Sequence, residues 1–253
     1  MNLPRFYLPE IHPGERPLPE DQSHHALHVL RMNDSDEMVV FDGSGKWAKA
    51  KLLVRRKHAY CRVDEPIQED PPPPLRITLA CATPKADRGQ TLVEQASQIG
   101  VARLIWLDCD FSVVQPAPGG GKMQKWQRLA VESAKQCGRN WLLDVQPPQK
   151  PAAVLKMAAS EKAKIFRADP RAVQTLLTVA QKQMTSKEKS VFVLIGPEGG
   201  WSEDEQKLLS QDNHVIPVSL NNNILRIETA AIAAAAVIQA VFYGNFCLPS
   251  GLE

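Results

Sequence analysis

The spacing of apolar residues changes once along the chain, at Pro71–Pro74, and the change separates two kinds of pattern. Before the prolines the period is two. Met38–Phe41 runs into the turn dipeptide Asp42-Gly43, Trp47–Leu52 alternates small or apolar residues with lysines, and His58–Val63 reads as another strand. With one helix near Ser23–Leu30, this predicts a small β-barrel over residues 1–70. Four consecutive prolines supply no backbone donors, so residues 71–74 form a stiff connector. From residue 75 to 253 strands and helices alternate. Arg76–Cys81, Leu104–Leu107, Ala163–Phe166, Ser190–Ile195 and Val215–Val218 are the predicted strands. Thr91–Ile99 is a helix capped by Gly100, and Lys122–Cys137 places Met123, Trp126, Leu129, Ala130 and Ala134 at helical spacing. Asp169-Pro170 predicts a helix start, Gly119–Gly121 a loop, and Ala230–Val241 a buried helix too short to cross a bilayer. Such alternation implies a mostly parallel sheet covered by helices, an α/β domain.

Composition adds little to this picture. The 253 residues are 43% apolar and 23% charged with a net charge of +2, values of a globular protein with a sizeable core and no marked preference for a partner. The distribution of charge says more. Lys46, Lys49, Lys51, Arg55, Arg56, Lys57 and Arg62 lie between Gly45 and Arg62 without an acidic residue, a field that attracts polyanions, although a solvated hairpin has the same composition. The five cysteines are dispersed and form no CxxC pair, which fits reduced thiols better than disulfides or zinc. The first residues contain no apolar run of a signal peptide, and a cytoplasmic protein is expected. His24 and His28 are spaced i, i+4 without a third ligand nearby, so RNA contact or capping is preferred and no metal is expected.

Two segments carry candidate chemistry. In Val191–Glu205, VFVLIGPEGGWSEDE, an apolar strand ends in a turn with three glycines around one carboxylate, and Ser202 with Glu205 forms a capping box for the next helix. Glycines allow close backbone approach to a ligand, and in open α/β sheets ligands bind where strands end. Neither GxxxxGK[ST] nor GxGxxG is present here, which argues against nucleotide-phosphate and dinucleotide chemistry. In Pro217–Ala230, PVSLNNNILRIETA, an asparagine turn follows a strand and leads into an apolar helix with Arg226 and Glu228 at its mouth. An Arg–Glu surface pair capping a core helix has the same appearance.

Together IGPEGGWSEDE and LNNNILRIETAAIAA resemble the two cofactor-site motifs of the small-subunit (16S) ribosomal RNA uridine-N3 methyltransferase family within the SPOUT superfamily. Arg5-Phe6-Tyr7, His24-His25 with His28-Val29-Leu30-Arg31, Ala82-Thr83-Pro84-Lys85 and Gln136-Cys137-Gly138-Arg139-Asn140 match in the same order, so the resemblance covers nearly the whole chain. It implies a trefoil-knotted α/β domain over residues 75–253 and a PUA-like barrel over 1–70. The knot loops would bind S-adenosylmethionine through Leu194, Gly196, Glu198, Gly199, Leu220, Asn222, Ile224, Leu225 and Thr229. Arg226 would stabilise charge developing on uracil, and Glu198 would act on the base or order its loop, with ordering preferred. Arg5, His25, Arg31, Lys46, Lys49, Arg55, Lys85 and Arg139 would contact RNA. The partners implied are ribosomal RNA or the small subunit, and a second copy of the chain in a homodimer, with no membrane and no metal.

The chain departs from the family at three places. Asn221 and Asn223 stand where a glycine and an arginine are usual, a change that asparagine's tolerance of left-handed backbone would accommodate. Asp110-Phe111-Ser112 replaces Glu-Arg-Ser, and Gln98 replaces a glutamate. These departures support an alternative, a non-catalytic RNA-binding or ribosome-assembly protein on the same scaffold. A knotted enzyme acting on transfer RNA would share the cofactor motifs but not HHxxHVLR or QCGRN.

Overall fold

The computed structural model describes residues 3–56, 58–114, 116–117 and 119–244; Lys57 and Cys247 lie outside them. The chain forms two compact units, residues 1–72 with 131–142, and residues 73–130 with 143–253. The division differs from a single cut at the prolines. The C-terminal half of helix Gly121–Cys137 and the strap that follows it belong to the first unit.

In the first unit the strands are β1 (Arg5–Tyr7), β2 (Gly14–Pro17), β3 (Glu37–Phe41), β4 (Lys46–Arg55), β5 (His58–Val63) and β6 (Gln68–Glu69). Their order is β1-β3-β4-β5-β2, with β6 against β4, and every pair is antiparallel except β1 with β3. The period-two pattern does what was expected of it. Ala48, Ala50 and Leu52 of β4 join Phe6, Met38 and Val40 in the core, while Lys49 and Lys51 face outward and Lys46 is exposed at the strand's start. The expected helix near Ser23–Leu30 begins earlier, as α1 (Glu20–His24), and continues as one π-helical turn, His25–Val29.

The unit is closed by the strap after Cys137. Gly45 N–H donates to Asn140 C=O (3.1 Å) and Leu142 N–H to Gly43 C=O (2.9 Å). Gly43 and Gly45 have φ of +78° and +99°, and a Cβ on either would lie 2.6 Å from Leu142 or Trp141. Only glycine allows both the turn and this approach. Arg5 donates to Asn140 Oδ1, and Asn140 Nδ2 donates to Asp70 (2.7 Å), which also accepts from Trp47 Nε1 (3.0 Å). The QCGRN motif is thus in part a structural clasp.

The second unit is a six-stranded parallel sheet of order β12-β10-β11-β7-β8-β9. Its strands are β7 (Arg76–Ala82), β8 (Arg103–Leu107), β9 (Asp144–Gln149), β10 (Lys164–Ala168), β11 (Ser190–Ile195) and β12 (Val215–Val218). β11 is buried along its entire length at the centre of the sheet, as its unbroken apolar run requires. Five helices cover the faces: α2 (Arg88–Gln98), α4 (Pro151–Ser160), α5 (Leu176–Gln183), α6 (Glu203–Gln211) and α7 (Ile227–Gly244), with α3 (Gly121–Cys137) shared between the units. Ile99 is the C-cap of α2, and Gly100 follows at φ +84°.

Two expectations are corrected. Asp169-Pro170 forms a turn, because Asp169 is engaged by Arg167 and by the Arg171 backbone; α5 starts later, where Thr175 Oγ1 accepts from Thr178 N–H. The apolar helix expected over Ala230–Val241 is longer, 18 residues over Ile227–Gly244, and is long and apolar enough to cross a membrane. Half of it is buried, and it packs on α2, α5, β7 and β11 in the manner of a core helix.

Candidate functional site

The site is built at the carboxyl edge of the parallel sheet. β11 ends at Ile195, and Pro197–Gly200 form a turn closed by Gly200 N–H to Pro197 C=O (2.9 Å), with Gly200 at φ +80°. Gly196 lies beneath the Trp201 indole, where an added Cβ would sit 2.7 Å from the ring. The strand exit is therefore locked by the side chain five residues on. The capping box is present: Ser202 Oγ accepts from Glu205 N–H (3.3 Å) and Glu205 Oε2 accepts from Ser202 N–H (2.9 Å).

Glu198 points back toward α2. Its carboxylate lies 3.5 Å from Lys85 Nζ and 3.2 Å from Arg88 Nη1, and the same guanidinium is 3.9 Å from Glu228 in the first turn of α7. Two cations on one carboxylate make a brace, and this geometry supports loop ordering over a free base. Ala86, at φ +56°, curls the β7–α2 connection so that Lys85 and Arg88 both reach the loop.

The asparagine turn Asn221–Asn223 leads into α7. Asn221 Oδ1 accepts from Asn223 N–H (3.4 Å), and Ser219 Oγ donates to Asn221 C=O (3.3 Å). None of the three asparagines has positive φ, so the expected use of left-handed backbone is not what holds this turn. Leu220 and Leu225 pack half-buried on the core while Ile224 stands 88% exposed, giving an apolar ledge beside the loop. Arg226 is exposed, its carbonyl accepts from Ala230 N–H (2.8 Å), and its guanidinium makes no ion pair among the described residues. Asn222 and Thr229 are exposed on the same stretch. Leu194 is fully buried, so of this residue only the backbone at the strand end is available to a ligand.

Among the described residues, the buried polar atoms without a partner include Thr83 Oγ1 just past β7 and Glu228 Oε2 at the mouth of α7. Buried polar atoms are rarely left so, and a ligand with hydrogen-bond donors would complete them. An apolar ledge, strand-end backbone and unpartnered acceptors together suit a ligand with an aromatic ring and a cationic, donor-bearing tail.

A third loop, the one carrying Asp110-Phe111-Ser112, joins the site through contacts that the sequence did not show. After β8, Ser202 Oγ donates to Asp110 Oδ2 (2.6 Å), Asp110 N–H donates to Glu205 Oε1 (3.1 Å), and Lys150 pairs with Asp108 (3.2 Å). Phe111, half exposed, packs against Gly199. The capping box is thereby tied to a segment 92 residues away, a spacing for which local pattern gives no signal.

Of the expected RNA contacts, Arg5, His25, Arg31, Lys46, Lys49, Arg55 and Arg139 belong to the first unit and Lys85 to the second. Lys46, Lys49 and Arg31 are exposed, Arg55 pairs with Glu15 and lies over the Tyr60 ring, and Lys85 is engaged by Glu198. His24 and His28 are exposed with ring centroids 4.9 Å apart. Among the described residues no group of three His, Cys, Asp or Glu gathers to hold a metal.

Residues 71–239 match the RNA methyltransferase domain family, and residues 18–64 match the RNA methyltransferase PUA domain. The ribosomal RNA small subunit methyltransferase E of Synechocystis sp. is 29% identical over 220 residues, covering 87% of this chain and 71% of that protein. The protein of the same name from Bacillus subtilis is 26% identical over 224 residues, covering 86% and 87%. Among solved structures, a methyltransferase from Legionella pneumophila in complex with SAM has 30% identity and a TM-score of 0.82, covering 95% of this chain and 98% of that one. The SAM-bound ribosomal RNA small subunit methyltransferase E of Neisseria gonorrhoeae has 28% identity and a TM-score of 0.81 over the same shares. The parallel α/β unit carries the RNA methyltransferase domain and the mostly antiparallel first unit its PUA domain, and the chain belongs to the RNA methyltransferase domain family.

Proposed function

We propose that the protein methylates N3 of a uridine in small-subunit ribosomal RNA, using S-adenosylmethionine. The observation that carries the reading is the pairing at one sheet edge of the braced Gly196–Gly200 loop with the unpaired Arg226 at the mouth of α7. The relatives named for the small subunit, one of them solved with S-adenosylmethionine bound, and a second SAM-bound methyltransferase of the same fold support it.

The residues present fit S-adenosylmethionine. Leu220, Ile224 and Leu225 offer an apolar surface to adenine, the strand-end backbone at Gly196 and Gly199 offers hydrogen bonds, and the unpartnered Glu228 Oε2 offers an acceptor to a donor group. When bound, S-adenosylmethionine supplies an electrophilic methyl group on a sulfonium. The chain's part is positioning and electrostatics. Arg226 stabilises the negative charge that spreads over uracil O2 and O4 as N3 gives up its proton. Glu198, held by Lys85 and Arg88, keeps the loop in shape.

The reading includes a cytoplasmic homodimer, as the resemblance implies, and the exposed Tyr243 of α7 is apolar surface that a second copy would cover.

The test is calorimetry with S-adenosylmethionine on wild type and Arg226→Ala, followed by transfer to unmodified small subunits. An N3 methyl group blocks Watson–Crick pairing, so the product stops reverse transcription at one uridine. Binding by both proteins with transfer by wild type only is the expected result. Binding without transfer would indicate another RNA or a scaffold used without catalysis. A product that leaves reverse transcription unhindered would refute N3 as the acceptor.

A further inference from the structure

The first unit contains a cavity of about 760 Å³ lined by residues from the N-terminal segment, the π-helical turn, β3 and the C-terminal half of α3. Its size suits one nucleotide. Two cations line it. Lys135 has its side chain only 8% exposed, shared between Glu132 (2.9 Å) and the Phe6 ring (5.7 Å). Arg5 lies over the Phe41 ring (5.1 Å) and donates one nitrogen to Asn140, while its Nε is buried without a partner. Holding two part-buried cations in one cavity is unfavourable unless acceptors are supplied; Glu132 answers Lys135 and Asn140 answers one nitrogen of Arg5, which leaves Arg5 Nε without an acceptor.

The rest of the lining complements this charge. Leu30 and Val39 form an apolar wall. Burial, with Lys135 nearby, pushes the His25 imidazole below its ordinary range, so at neutral pH it is an uncharged donor and acceptor. An apolar wall, a neutral ring with hydrogen-bonding edges and two part-buried cations are the complement of a base attached to a phosphate. The outward lysines of β4 belong to the same unit and draw a polyanion to it.

We infer that this cavity takes one unpaired nucleotide of the substrate RNA, distinct from the nucleotide that is methylated, with its phosphate on Arg5 and Lys135 and its base against Leu30 and Val39. The inference rests on RNA being the substrate. Lys135, on a helix that the sequence reading assigned to the other domain, is the residue it adds to the candidate contacts.

Cys137 lies on the cavity wall and is exposed, whereas Cys61, Cys81 and Cys109 are buried. Burial pushes the thiol pKa of Cys61 to about 11 and of Cys109 to about 12, so neither competes for an alkylating reagent at neutral pH. The test uses the full chain, N-ethylmaleimide, and small-subunit ribosomal RNA, with Cys137 labelling followed on its own peptide by mass spectrometry. The expected result is that RNA slows Cys137 labelling about tenfold or more and that Lys135→Gln removes most of this protection. Lys135→Gln should also lower the slope of log affinity against log salt by about 1, which a merely structural lysine would not do. Val39→Trp, which fills the cavity without removing charge, should abolish protection if Lys135→Gln fails to fold. Bound RNA that leaves Cys137 fully reactive, or an unchanged salt slope in Lys135→Gln, overturns the inference. Wild-type protein that neither binds nor methylates RNA overturns instead the reading beneath it.

Discussion

Arg88 and Glu198 meet at 3.2 Å, joining the start of α2 to the turn that follows β11. The same guanidinium approaches Glu228 of α7, so one side chain holds together three segments of the site. With Arg88 one-quarter and Glu198 about two-fifths exposed, the pair is modest in energy, and its effect is felt mainly in loop order. Arg88→Ala should weaken S-adenosylmethionine binding about tenfold by calorimetry while leaving the fold intact. Glu198→Gln should do the same more mildly. Normal binding with lost turnover in Glu198→Gln would instead give the carboxylate a part in proton transfer.

Gly196 and Trp201 make a second prediction. A methyl group at residue 196 would lie 2.7 Å from the indole, closer than van der Waals contact allows. Gly196→Ala should swing Trp201 outward, visible as a red shift of its fluorescence, and lower cofactor affinity. Unchanged fluorescence would mean that the backbone, not the ring, gives way.

The strands at the centre of the parallel sheet were readable because burial leaves a plain trace: β7 and β11 fall where the apolar runs of Arg76–Cys81 and Ser190–Ile195 predict. Of the edges, β12 was readable from its own apolar run, and two others were not. β9 carries Pro147 and Pro148, tolerated only because it is the last strand of its sheet, and β2 is short and exposed throughout. In the site, Gly196–Gly200 and Arg226 could be found from glycine and charge placement next to a strand and a helix. The Asp110–Ser202 link could not, because it depends on which strands become neighbours. The lining of the first-unit cavity was half legible: Arg5 and His25 came through family likeness, and Lys135 was hidden in the amphipathic pattern of a long helix.

Ser202 serves two partners, accepting from Glu205 N–H and donating to Asp110. Ser202→Ala should cost about 1 kcal/mol, the usual value of an N-cap. That corresponds to a fall in Tm of about 2–4 °C for a chain of this size. Ser202→Asp distinguishes the partners. Aspartate is ordinarily an equal cap, but here its carboxylate would face Asp110, so it should be the less stable of the two variants. If Ser202→Asp restores wild-type Tm, the Asp110 contact contributes nothing.

Glu161, at the end of α4, makes the acid behaviour of the second unit testable. Burial alone would raise its pKa, but the hydrogen bonds from Arg103 (2.7 Å) and Ser190 (2.8 Å) outweigh burial and hold the carboxyl below its ordinary range. A carboxyl depressed in the folded state binds fewer protons there than in the unfolded chain. Its contribution to stability is therefore complete above the unfolded pKa, about 4.3, and is lost as pH falls through the lower folded value. Glu161→Gln should lower stability at neutral pH by about 2 kcal/mol, the scale of a hydrogen bond to a charged partner. Because glutamine does not titrate, the variant should also lose less on acidification, and the two urea-unfolding curves should converge below the ordinary carboxylate range. Parallel pH profiles for the two proteins would show that the Arg103 contact does not stabilise the ionised carboxylate.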